Sequence, residues 1–101
     1  MRKFEFFSDP GHGWVKVPGA LLRELGIVER ISSYSYAAAG FGYLEEDCDL
    51  TVFFDAYRER FGRDPALVER VSAHAPAKIR NYSRFRPELV AGDLLDAVEI
   101  F

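Results

Sequence analysis

A chain of 101 residues, 49% hydrophobic and 15% aromatic, carries enough apolar surface to close one core and lacks the composition of a disordered protein. Its net charge of −3 and its lone cysteine exclude a uniformly basic nucleic-acid coat and a disulfide-stapled miniprotein. No apolar run approaches the ~20 residues that cross a bilayer, so one domain over residues 1–101, with no membrane association, is expected.

The opening MRKFEFF has two basic residues but too short an apolar run for a secretory signal. Cys48 has no internal partner, which makes a reducing cytoplasm the expected compartment. Phe4, Phe6 and Phe7 predict a short first strand that stops at Ser8-Asp9-Pro10-Gly11. Trp14-Val15-Lys16-Val17 predicts a second strand with Val15 and Val17 on one face. Pro18 then suits the first turn of a helix carrying Leu21, Leu22 and Leu25, with Gly26 as its stop.

Ser33-Tyr34-Ser35-Tyr36 alternates polar and aromatic residues, the period of a half-buried strand. Ala39-Gly40 predicts the turn of a hairpin, and Phe41 to Glu45 the returning strand. The period then changes. Leu50, Phe53, Phe54, Tyr57 and Phe61 form one helical stripe, which Asp47 or Asp49 can cap and Gly62 can close.

Asp64-Pro65 reads as a helix start, and Leu67, Val68 and Val71 predict a short helix reaching about His74. From Lys78 to Arg86 the pattern has strand parity, placing Lys78, Arg80, Tyr82, Arg84 and Arg86 on one side. Val90, Leu94, Leu95 and Val98 fit either a helical face or a turn followed by a strand. The elements together predict an α+β fold: a small antiparallel sheet of about four strands with amphipathic helices packed on one face.

Charge is segregated along the chain. No basic residue falls between Arg30 and Arg58, an interval that holds Glu45, Glu46, Asp47, Asp49 and Asp55. After Arg86 only acids follow, namely Glu88, Asp93, Asp96 and Glu99.

His12-Gly13-Trp14, Val17-Pro18, Leu25-Gly26-Ile27, Ile31 to Tyr36 and Tyr43-Leu44-Glu45-Glu46-Asp47-Cys48-Asp49 resemble a family of small uncharacterised proteins encoded on bacterial plasmids and phages. Ile79-Arg80-Asn81-Tyr82 is similar to that family's closing strand, and the likeness covers roughly residues 12–85. The Ala-Ala-Ala-Gly turn and the acidic segment after Arg86 depart from the family pattern. The resemblance implies an accessory protein of mobile DNA and carries over no site residue.

The chemistry-bearing residues each admit a plain reading. The run Glu45 to Asp49 offers hard oxygen ligands, but it lacks a calcium loop's spacing and suits a helix N-terminus, so no metal and no cofactor is expected. Cys48 with His12 or His74 would be a thiol and its base, yet the surrounding carboxylates disfavour a thiolate. His12 lies between two glycines with no recognisable partner, and G-H-G is not a phosphate loop.

The expected function is therefore non-enzymatic. One reading is an accessory or inhibitory protein binding a host or competitor machine through an acidic surface of Glu45, Glu46, Asp55, Glu88, Asp93, Asp96 and Glu99. Such a surface can imitate the phosphate array of nucleic acid. The alternative is a small nucleic-acid-binding domain that uses Lys78, Arg80, Tyr82, Arg84 and Arg86.

Overall fold

The computed structural model describes residues 2–71 and 78–90. It contains a mixed six-stranded sheet with spatial order β5-β1-β2-β4-β3-β6. The strands are β1 (Lys3–Ser8), β2 (Gly13–Pro18), β3 (Tyr36–Ala38), β4 (Phe41–Glu45), β5 (Ala66–Val71) and β6 (Ser83–Arg84), with helices α1 (Gly19–Glu24) and α2 (Leu50–Phe61). The class is α+β as the sequence predicts, but the sheet has more strands than expected and is not purely antiparallel. β1 and β5 run parallel, in register from Lys3↔Ala66 to Ser8↔Val71.

The hairpin turn forms where expected. Ala39 and Gly40 both have positive φ, 51° and 83°, the backbone that a two-residue turn between right-twisted strands requires. The paired strand is shorter than Ser33–Tyr36 predicts, because β3 begins only at Tyr36. Ser32, Ser35 and Asp49 hold the preceding segment in side-chain bonds that compete with a ladder.

α2 spans the expected stripe and ends at Gly62 in the left-handed conformation, where the absence of a Cβ removes the clash. Phe53 and Tyr57 are buried, Leu50 and Phe54 are half-buried, and Phe61 is exposed. One face of the sheet packs on the helices through Phe4, Val15, Val17 and Leu44 against Leu22 and Phe53. Phe4, Phe53 and Tyr57 meet edge to face, with centroids 5.3–5.7 Å apart.

The opposite face carries a second apolar layer, Trp14 and Tyr43 with Ile79, flanked by Phe7, Tyr36, Phe41 and Tyr82. β2 is thus covered on both sides: Val15 and Val17 face the helices, while Trp14 lies in the second layer. That covering comes from residues 78–82.

Two elements differ from the sequence reading. Residues 66–71, expected in a helix to about His74, form strand β5; the positions from 72 to 77 lie outside the described residues. An i, i+1, i+4 apolar triplet over six residues does not separate helix from strand, and Val68 and Val71 are β-branched. Docking on β1 closes an edge that would otherwise expose unpaired backbone groups. Residues 78–86 are not one strand either. Lys78–Asn81 is a 3₁₀ turn that drives Ile79 into the second layer, and only Ser83–Arg84 pairs, against Tyr36 and Ala37. Of the final segment, Val90 is buried against the main core and Leu94, Leu95 and Val98 lie outside the described residues.

Candidate functional site

A cleft of about 390 Å³ opens beside the second apolar layer, lined by His12, Trp14, Tyr34, Tyr36, Glu45, Asp47, Cys48, Arg80 and Arg84. Strand register explains how it assembles. Trp14 pairs with Glu45 across β2 and β4, and Tyr36 pairs with Arg84 across β3 and β6. The loop before β2 then brings His12 to Glu45.

Asp9 builds that loop. Its Oδ1 accepts the backbone N–H groups of Gly11 (2.9 Å) and His12 (3.0 Å). The same carboxylate takes a two-pronged contact from Arg80, Nε to Oδ2 at 2.7 Å and Nη2 to Oδ1 at 2.9 Å. The Arg80 guanidinium also lies over the Trp14 ring, 5.4 Å from its centroid. Arg80 is therefore committed inside the fold. Tyr82 is likewise engaged, its ring 5.0 Å from that of Tyr43. Burial first, then the Tyr82 neighbour, push the Tyr43 phenol up to about 12.

The expected basic face is accordingly dispersed. Arg84 stacks over Tyr36 at 4.9 Å and donates to the Ser33 carbonyl at 3.3 Å; it pairs with no carboxylate among the described residues. Lys78 and Arg86 are exposed, and Lys78 lines a different depression, with Phe7, Arg70 and Val71.

The expected acidic surface is also broken up. Glu45 is only 5% exposed. Its Oε1 accepts the backbone N–H groups of Asp47 (2.9 Å) and Cys48 (3.0 Å), while Oε2 lies 3.1 Å from His12 Nδ1. Burial raises the Glu45 pKa, but hydrogen bonds from His12, the Cys48 thiol and these two N–H groups outweigh it and hold the carboxyl below the usual glutamate value. Glu46 is exposed. Asp55 sits in another cleft with Glu24, Glu59, Arg30 and Arg60, and lies 3.4 Å from Arg58. Glu88 is exposed in the 3₁₀ turn Pro87–Leu89, and Asp93, Asp96 and Glu99 lie outside the described residues.

Asp49, read as a helix cap, makes no side-chain cap bond. It is buried and accepts the Ser32 N–H (3.1 Å), the Ser32 hydroxyl (2.7 Å) and the Ser35 hydroxyl (2.5 Å). Ser35 Oγ in turn accepts the Glu45 N–H at 2.9 Å. This polar node ties the start of α2 to the segment before β3. Sequence gave no sign of it beyond the serines at positions 32 and 35, which also suited a solvated strand face.

Cys48 is exposed, and its thiol is pushed up by local desolvation, then by the Glu45 hydrogen bond and the Glu45, Asp49 and Asp47 charges. A nucleophilic thiolate is disfavoured there. His12, which had no partner in the sequence, has one in Glu45. His12, Glu45 and Asp47 each place one potential ligand atom within 4.8 Å of the others.

Tyr34, 64% exposed at the cleft rim, and Trp14 in its wall are the contributors that sequence reasoning left unassigned. An alternating Ser-Tyr run signals a strand, so nothing marked Tyr34 as leaving the sheet. No family model, curated protein or solved structure matches the chain. No helix among the described residues is long and apolar enough to cross a membrane.

Proposed function

We propose that the chain is a non-enzymatic interaction module, a cytoplasmic accessory protein of a mobile genetic element, which binds a protein partner through the cleft between Tyr34, Arg84 and Asp47. The mobile-element setting rests on the sequence resemblance alone. The observation that carries the binding reading is how the cleft's polar groups are used. Asp9, Glu45, Asp49 and Arg80 are engaged in bonds that build the loops, and the Cys48 thiol is held protonated. The lining groups that face solvent include an aromatic ring, a cation and a carboxylate, Tyr34, Arg84 and Asp47. An exposed tyrosine beside an arginine is a common anchor pair at protein interfaces. Charges of both signs in the cleft lining suit a polypeptide segment carrying both signs.

A second reading, single-stranded nucleic acid, draws on Tyr34 and Tyr36 beside Arg84, an arrangement that can stack a base and meet a phosphate. The internal engagement of Arg80 and Tyr82 weakens it. Oligonucleotide titration across a salt series separates the two. The protein-binding reading predicts no micromolar affinity at physiological salt. Salt-sensitive binding whose slope falls by about one counterion in Arg84→Ala would support the second.

A further inference from the structure

We propose that His12, Glu45 and Asp47 form a binding site for a divalent transition-metal ion of the Zn²⁺ or Mn²⁺ class at the acidic end of the cleft. The three side chains come from the β1–β2 loop, the end of β4 and the turn before α2, and their ligand atoms converge within 4.8 Å. The 3.1 Å separation of His12 Nδ1 and Glu45 Oε2 is already a coordination edge, since two bonds of about 2.1–2.2 Å at a right angle span about 3 Å.

Glu45 is held in place before any ion arrives. It is buried, its Oε1 is fixed by the Asp47 and Cys48 N–H groups, and Oε2 is presented to the imidazole. Asp47 and His12 are exposed and able to adjust onto an ion. A second feature of the same cleft is independent of these ligands. Trp14, 1% exposed in its wall, has an indole N–H with no hydrogen-bond partner among the described residues; as a donor it is no ligand for the ion and can serve only a water or an acidic group bound beside it.

The donor set selects the ion. One imidazole nitrogen with two carboxylates suits Zn²⁺ or Mn²⁺ better than Mg²⁺ or Ca²⁺, which favour all-oxygen shells. Three protein ligands leave a coordination position for water or for a group from a partner. This goes beyond the interaction reading and does not depend on it, because the ion is taken up by the chain alone.

Trp14 is the one tryptophan, and its ring lies 6.0 Å from that of His12, so its fluorescence reports on the site. The purified full chain is titrated with MnCl₂, which quenches by paramagnetism, and then with ZnCl₂ as competitor; thermal melts follow each ion. The expected result is saturable quenching reversed by Zn²⁺, and a melting midpoint that rises with excess Zn²⁺ but not with equal Mg²⁺ or Ca²⁺. His12→Gln and Asp47→Asn each weaken binding about tenfold or more, whereas Asp55→Asn, in a different cleft, and His74→Gln leave it unchanged. Glu45 also fixes the turn, so the test rests on the two exposed ligands. Absence of saturable quenching up to millimolar ion overturns the proposal. Undiminished affinity in His12→Gln, or loss of binding in Asp55→Asn or His74→Gln, overturns it equally.

Discussion

Two carboxylates with similar sequence surroundings do different work. Asp49 accepts bonds from Ser32 and Ser35 and is buried, so Asp49→Ala strands donors away from water. Its expected cost is on the order of 3 kcal/mol, measured by urea unfolding with an unchanged m-value. Glu45 sets a pH dependence. Its folded pKa is lowered, so its contribution is fully present above the unfolded glutamate value of about 4.3 and is lost as pH falls through the folded value. Glu45→Gln can still accept the two N–H bonds, and it should flatten the stability profile below about pH 4.3 relative to the parent chain. Tyr43 acts at the opposite end, since a phenol raised to about 12 favours the fold below about pH 10 and withdraws that support as pH climbs toward 12.

At the scale of elements, α2 holds the core through fewer residues than its stripe suggests. Phe53 is fully buried among Phe4, Phe54 and Tyr57, whereas Phe54 is only half-buried. Phe53→Ala should therefore cost about 3–5 kcal/mol and Phe54→Ala distinctly less; equal losses in chemical denaturation would contradict this packing. The helix, its glycine stop and the Ala39-Gly40 turn were legible because each is a local pattern with a local cause. β5 was not, because its conformation is decided by pairing with β1, some sixty residues earlier in the chain. The 78–86 segment misled for a related reason. Strand parity ignores the apolar layer that draws in Ile79 and the buried Asp9 carboxylate that takes Arg80. The His12–Glu45 contact spans 33 positions and followed from the β2–β4 register, which no local pattern encodes.

Over the whole molecule, charge that is segregated along the chain becomes interleaved in space. Arg80 reaches Asp9, Arg70 reaches Glu5, Arg60 reaches Glu24 and Arg58 reaches Asp64, at 2.6–3.2 Å. The three exposed pairs contribute only about 0–1 kcal/mol each. The Arg80–Asp9 pair, with its buried carboxylate, takes Arg80 out of the suggested basic face, and Arg58 also lies 3.4 Å from Asp55 of the suggested acidic one. What remains for recognition is local: an aromatic cleft whose lining includes Tyr34, Arg84 and Asp47. The direct test is affinity purification of the full chain from its native cells, with the co-purifying species quantified for the parent, for Tyr34→Ala/Arg84→Glu, and for Arg60→Glu in the distant cleft as a control. A stoichiometric protein partner, retained by the control and lost by the double variant, is the predicted result. A partner held equally by the double variant, or nucleic acid in its place, would contradict the account.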